Sequence, residues 1–127
     1  MRRTLILTLL VFTLSFSLCL SASLFLKGAI EEVRFLHNEA VRYVEMENPD
    51  RAKEIMVEMA ELWREKEPVL SMISSHDAIH DVKIGIIEAQ ICLECGDHDD
   101  FLRTISIAGE GLDHMASAEK LSLSNLY

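Results

Sequence analysis

The sequence predicts an all-α protein, with an N-terminal transmembrane helix followed by an antiparallel bundle of three to four helices. Three observations support this fold class. Residues 4–26 contain no charged side chain, apolar residues in the rest of the chain recur at spacings of three and four, and no segment shows the alternation of a β-strand. We therefore divide the chain into a membrane anchor, residues 1–27, and an acidic helical domain, residues 28–127.

The uncharged stretch at residues 4–26 is long enough to cross a membrane as a signal anchor. An α-helix rises about 1.5 Å per residue, so the stretch covers the roughly 30 Å hydrocarbon core. Arg2 and Arg3 precede it, and the positive-inside rule places the N-terminus in the cytoplasm and residues 28–127 outside the cell membrane. The alternative is a cleaved signal peptide, although apolar residues continue past the small-residue cleavage pattern Ser21-Ala22-Ser23.

The charge of the domain excludes one class of partner. All 21 acidic residues follow Lys27, against nine of the 12 basic residues, so the domain has a net charge of −12. Such a domain repels nucleic acid and anionic lipid headgroups, which excludes nucleic-acid binding. Three cysteines, one of them in the anchor, are not a disulfide framework. Burial of apolar surface must therefore hold the domain together.

The first half of the domain is predicted to form two helices. The first runs from Lys27 to Glu47 in direct continuation of the anchor. Asn48-Pro49 ends it and begins the second, because proline disfavours helical geometry at the residue before it but fits the first position of a helix. One apolar stripe continues from Ala52 to Ile73 through Pro68, which predicts a kinked helix or two collinear helices.

The third helix is predicted to lie at the centre of the bundle. Ser74 and Asp77 form a capping box at its start, and Gly96 ends it with a left-handed cap. Its apolar residues fall on two sides, so we expect a neighbouring helix on each side.

The fourth helix begins at Asp97, where negative charge complements the helix dipole. Gly109 and Gly111 weaken this helix by about 1 kcal/mol each relative to alanine, which indicates a close crossing or local fraying. The final stretch, Leu121–Tyr127, predicts a short turn folded back on the bundle. No internal repeat is evident.

Two clusters of side chains have the composition of metal or redox sites. His76 and His80 are four residues apart, a spacing that lets two imidazoles on one helix share a metal. Cys92, Cys95 and His98 lie around the end of the third helix, where the helix dipole opposes thiolate formation, and zinc there lacks an evident fourth ligand. The patterns favour structural or solvated roles, so we assign no catalytic, cofactor-binding or metal-ligating residue.

Several stretches within residues 52–127 resemble a known family. They are Leu62-Trp63-x-x-Lys66, His76, the helix around Ile79 to Ile91, His114-Met115, and Glu119-x-Leu121-Ser122-Leu123-x-Asn125. With the N-terminal span, they resemble a group of short single-pass proteins of Gram-positive bacteria known as domain of unknown function 4363. The resemblance implies a membrane-anchored helical domain with no assigned activity, and it names no catalytic residue. Cys92 and Cys95 are not part of the pattern of this family.

The leading hypothesis for function is a non-enzymatic protein-interaction or scaffold module at the cell envelope. An anchor followed by a domain without a catalytic motif predicts lipid contact through residues 4–26 and a membrane or envelope protein as partner, with a second copy of the chain among the candidates. A helical face or the Leu121–Tyr127 tail would bind it. No small-molecule substrate is indicated. The alternative is a metal- or redox-responsive sensor that uses His76 and His80, or Cys92, Cys95 and His98.

Overall fold

The computed structural model describes the backbone of residues 1–125 and the side chains of residues 1–121. In this part of the chain, four helices follow one another: α1 Arg2–Glu45, α2 Pro49–Ile73, α3 His76–Glu94 and α4 His98–Asn125. Helices α1 and α3 each pack against both α2 and α4. The predicted all-α fold is confirmed, and the bundle has four helices.

Helix α1 is continuous over 44 residues, but its two parts have different surroundings. Residues 1–21 are all exposed, including their leucine and phenylalanine side chains. From Leu26 onward, one side of the helix is buried in the core of the bundle. Among the described residues, α1 is the one helix long and apolar enough to cross a membrane. It joins the predicted anchor to the domain without a break at Lys27.

The two turns at the end of the bundle far from the anchor have the same construction. The N–H groups of Glu47 and Asn48 donate to carbonyls in the last turn of α1, and those of Gly96 and Asp97 do the same for α3. This pair of bonds is the Schellman motif, in which one residue has a positive φ. Here Glu47 has φ 57° and Gly96 has φ 77°. The side chains of Asn48 and Asp97 then cap the following helices.

Two expectations about helix ends are wrong. The N-cap of α3 is Ser75, whose hydroxyl accepts a hydrogen bond from the Ala78 N–H at 3.2 Å. The Ser75 carbonyl also accepts the first hydrogen bond of α3, from the Ile79 N–H at 3.1 Å, whereas the Ser74 N–H donates to the last turn of α2. The predicted turn after Leu121 is also wrong in its described part, since α4 continues to Asn125. Residues 126 and 127 lie outside the described chain.

The hairpins α1–α2 and α3–α4 repeat one pattern of burial, which the sequence analysis did not detect. Ten of the 12 buried residues of the first hairpin correspond to a residue 49 positions later that is also buried, as Ala29 corresponds to Ala78. The pairs buried in both hairpins are Ala29/Ala78, Ile30/Ile79, Val33/Val82, Ala40/Ala89, Val44/Leu93, Ala52/Phe101, Ile55/Thr104, Met56/Ile105, Met59/Ala108 and Trp63/Leu112. Each helix also packs against the same neighbours as its counterpart, because α1 and α3 both contact α2 and α4, so the two hairpins have equivalent places in the bundle.

Two glycines allow the helices of the second hairpin to approach each other closely. A Cβ atom at Gly85 would lie 2.6 Å from the backbone nitrogen of Ala108, and one at Gly111 would lie 2.7 Å from a valine methyl of α3. The corresponding residues of the first hairpin are Leu36 and Leu62, which are half-buried. The close crossing predicted at Gly111 is therefore confirmed, and it brings α4 against α3.

Candidate functional site

A groove of about 360 Å³ lies between α2 and α3. Its apolar lining consists of Val57, Ala60 and Trp63 from α2 and Ile86 and Ile87 from α3. We call it the α2–α3 groove.

Apolar side chains remain exposed at this groove and next to it, on the side toward the C-terminal end of α3. Val57 is 50% exposed, Ile87 is 43% exposed and Ile91, one helical turn further along α3, is 57% exposed. The two predicted neighbours of α3 are present, since it packs against both α2 and α4, but they do not cover all of its apolar residues. Helix α2 covers Ile86, which is buried, but leaves Ile87 and Ile91 accessible. Only some of the apolar residues of α3 are therefore buried by other parts of the described chain.

The rim of the α2–α3 groove carries charges of both signs. Glu61, Arg64 and Glu67 come from α2, and Lys83 comes from α3. The Lys83 Nζ atom lies 3.7 Å from the Glu67 Oε1 atom, so this ion pair joins the two helices. Gln90 adds an uncharged polar group. An apolar floor between mixed charges suits a protein surface better than a strongly charged ligand.

Trp63 lies beneath this groove and is only 3% exposed. Its Nε1 atom is buried and makes no hydrogen bond to any described residue. An indole N–H is a donor only, and leaving a buried donor unpaired costs roughly 1–3 kcal/mol. The tryptophan thus contributes apolar packing at the cost of one unsatisfied polar atom.

His37 links α1 to α4, and the sequence analysis did not single it out. Its Nε2 atom lies 3.2 Å from the backbone carbonyl oxygen of Ile105. A carbonyl oxygen can only accept, so Nε2 carries the proton in this contact. Gly109 makes room for the ring, since a Cβ atom there would lie 3.2 Å from Nε2. The available signal was spacing, because Val33, His37 and Ala40 follow one helical stripe.

Two arginines at the far end of the bundle have a raised pKa. A hydrogen bond from Arg42 to the Glu39 carboxylate raises the pKa of Arg42, and a hydrogen bond to Glu54 does the same for the pKa of Arg51. Both guanidinium groups also lie near the Tyr43 ring, at 4.8 and 5.8 Å from its centroid. These contacts connect α1 to α2 beside the first turn and assemble no reactive group.

The family comparison identifies the relationship of this bundle to known proteins. The family described as domain of unknown function (DUF4363) matches residues 25–126. The chain belongs to this family. The match begins beside Leu26, where α1 enters the core of the DUF4363 domain, so it covers the described bundle. Comparisons with curated proteins and with solved structures found no match.

The predicted metal and redox candidates of the DUF4363 domain remain separate from the groove. His76 and His80 are exposed at the start of α3. Within the described side chains, no three His, Cys, Asp or Glu residues are close enough to hold a metal ion together. Cys92 and Cys95 are free thiols at the end of α3, with Cys95 exposed, and His98 is half-buried at the start of α4. In the part of the chain that the structure describes, no contact joins these residues into a site, and the sensor hypothesis stays a prediction.

Proposed function

We propose that the chain is a membrane-anchored, non-enzymatic interaction module that binds a protein through the α2–α3 groove. The exposed part of α1 anchors it in the cell membrane, with the N-terminus in the cytoplasm and the bundle outside. The observation that carries this proposal is the exposed apolar surface of Val57, Ile87 and Ile91 around a groove with an apolar floor. Apolar clusters rimmed by polar residues are typical of protein interaction sites.

A second copy of the chain is the proposed occupant of the groove. The continuous helix α1 would hold two copies upright in one membrane, so the same residues of both copies lie at the same height. Contact between two identical faces requires a surface that is complementary to itself. The rim meets this requirement because Arg64 and Lys83 can face Glu61 and Glu67 of the other copy.

Photo-crosslinking in intact cells tests this proposal. A benzoylphenylalanine residue is placed at Ile91, and a matched variant carries it at Phe35, an apolar residue of similar exposure on α1. We expect the Ile91 variant to give a product of twice the 14.4 kDa chain mass, and the Phe35 variant to give none. A product of another mass at Ile91 would replace the second copy by a different protein. The absence of any product at Ile91 would overturn the interaction proposal.

The orientation has its own test, which uses Cys95. This thiol is exposed and free, whereas Cys92 is half-buried and Cys19 lies in the anchor. A variant with Cys19→Ser and Cys92→Ser leaves Cys95 as the only thiol. We expect a membrane-impermeant maleimide to label it in intact cells. Labelling that requires lysis would place the bundle in the cytoplasm and overturn the orientation.

A further inference from the structure

We propose that the end of the bundle beside the anchor is inserted into the membrane interface, with the α2–α3 turn at the boundary between headgroups and acyl chains. This membrane-proximal end comprises residues 22–27, 66–80 and 117–125. The inference rests on the anchoring role proposed for α1, but it concerns a different surface from the α2–α3 groove. Its occupant is the lipid of the same membrane.

The lengths of α1 and α2 set the position of the α2–α3 turn along the axis of α1, and therefore its depth relative to the membrane. Ile73 lies 24 residues after Pro49, and Ser21 lies 24 residues before Glu45. Both helices rise about 1.5 Å per residue, so α2 returns about 36 Å and ends near the height of Ser21. The uncharged stretch begins at Thr4, and 20 helical residues from there reach Ser23 and span about 30 Å, the thickness of the hydrocarbon core. The end of α2 therefore lies at the edge of that core.

Two contacts fix the membrane-proximal end against α1 at this height. The Ser23 hydroxyl donates a hydrogen bond to the Glu119 carboxylate, which places Glu119 of α4 beside Ser23. Helix α4 continues for six more residues to Asn125, about 9 Å further toward the membrane. On the α2 side, the Lys66 Nζ atom lies 5.2 Å from the centre of the Phe25 ring. The bundle cannot be lifted away from the span without breaking these contacts.

The side chains at the end of α2 are suited to lipid. Residues 68–75 form the longest run without a charged residue after the anchor. Met72 is 83% exposed, more than any other large apolar side chain that the structure describes in the bundle, and Val69 and Ile73 are exposed beside it. Leu70, in contrast, is fully buried in the core. The end of α2 thus has one apolar side that is buried in the core of the bundle and a second apolar surface that no described residue covers.

The charge of the membrane-proximal end removes the main obstacle to insertion. This end contains three lysines and three carboxylates, so its formal net charge is zero. Without Lys27, which belongs to the anchor, this end contributes only −1 to the −12 of the domain, so nearly all of the negative charge lies further from the membrane. Lys27, Lys66 and Lys120 can extend their ammonium groups to the headgroups while their aliphatic stems stay in apolar surroundings. The repulsion from anionic lipid expected for the whole domain does not apply at this end.

Depth-dependent fluorescence quenching tests the proposal in the full chain. The native cysteines are replaced by serine, and one cysteine at a time is introduced by Met72→Cys, Met46→Cys or Phe16→Cys. Met46 is the matched control, a methionine of 60% exposure at the far end of α1. Phe16 reports on the anchor itself. Each thiol is labelled with a nitrobenzoxadiazole fluorophore, and the protein is reconstituted in phosphatidylcholine–phosphatidylglycerol vesicles with or without a doxyl-labelled phosphatidylcholine.

We expect the doxyl lipid to quench the probe at position 72 several times more strongly than the probe at position 46. The probe at position 16 should be quenched at least as strongly as that at position 72. Quenching at 16 alone would overturn the interfacial proposal while leaving the anchor intact. No quenching at 16 or 72 would overturn the anchor as well. Equal quenching at 46 and 72 would mean that the bundle lies flat on the bilayer, which would also overturn the proposal.

Discussion

The two hairpins of the bundle bury corresponding residues but differ in how closely their helices approach. In α3–α4, Gly85 and Gly111 let the helices touch through backbone atoms. In α1–α2, the corresponding Leu36 and Leu62 are half-buried, and together with Phe35 they line an open surface depression of about 430 Å³. A repeated apolar pattern therefore sets which faces meet, while the size of one or two residues sets the distance between the helices.

The largest expected effect comes from breaking the glycine contact of α3–α4. In Gly85→Ala, the new Cβ atom would lie 2.6 Å from the Ala108 backbone nitrogen, which cannot move without its helix. We expect a loss of about 2–3 kcal/mol in the free energy of unfolding, at the upper end for overpacked cores. Urea denaturation of the full chain in detergent micelles, followed by circular dichroism, measures this loss.

The control for that variant is Gly28→Ala, since no atom lies within 4 Å of a Cβ built at Gly28 in α1. Alanine in a helix interior is favoured over glycine, so we expect a gain of about 0.5–1 kcal/mol. Equal stability of the Gly85→Ala and Gly28→Ala variants would show that α3 and α4 do not depend on close approach.

Substitution of the positive-φ residue at each of the two distal turns has the next largest effect. Glu47 adopts a positive φ that glycine tolerates better, whereas Gly96 already has this geometry. We expect Glu47→Gly to stabilise the protein by about 1 kcal/mol and Gly96→Ala to destabilise it by about the same amount. Thermal unfolding of both variants and of their combination tests this, because the combined variant should melt near the wild type. A loss of stability in Glu47→Gly would contradict the strain argument.

A smaller effect is expected at His37, where the hairpins differ because Ile86 is the corresponding residue. In Gly109→Ala, a gain in helix propensity of about 1 kcal/mol opposes the displacement of the hydrogen bond from His37, worth about 1 kcal/mol. We expect almost no change in the free energy of unfolding. In a His37→Ala background, the same Gly109→Ala change should stabilise by about 1 kcal/mol. A double-mutant cycle measures the coupling between positions 37 and 109. Identical effects of Gly109→Ala in both backgrounds would show that the two positions are not coupled.

The smallest effects are expected at the ion pairs between the hairpins. Arg34 pairs with Asp113 at 2.7 Å, and Lys83, the residue that corresponds to Arg34, pairs with Glu67 at 3.7 Å. All four side chains are partly exposed, so solvent screens both pairs. We expect Arg34→Ala and Lys83→Ala each to change the free energy of unfolding by less than about 0.5 kcal/mol. A loss well above this in urea denaturation would show that an ion pair holds the hairpins together.

Local features of the fold were predictable because a few adjacent residues determine them. Asn48 and Pro49 end one helix and begin the next through capping and a fixed φ, and Gly96 supplies the left-handed cap. The continuity of α2 through Pro68 followed from the unbroken apolar stripe. The placement of the α3 cap failed by one residue, because Ser74 and Ser75 offer the same side chain and are distinguished by their backbone hydrogen bonds: Ser74 ends α2, and the Ser75 carbonyl begins α3.

The candidate site was less predictable because it depends on distances between helices. Periodicity showed that Ile87 and Ile91 lie on an apolar side of α3, but not that α2 leaves that side open. The repeat was also hidden, because only four of its ten paired positions carry the same residue, and some of the others differ greatly in size, as Ala52 and Phe101 do. Helical spacing specifies the direction of a side chain, and only the packed bundle specifies what covers it.

Trp63 gives this protein an intrinsic optical reporter. It is the single tryptophan of the chain, and it lies beneath the α2–α3 groove with its indole nitrogen unpaired. Indole emission depends on the polarity around the ring and on hydrogen bonding at its nitrogen. When the tryptophan is excited selectively over the two tyrosines, the emission of the unmodified protein originates at the groove, and it will change in wavelength or intensity when that surface is occupied or opened to water.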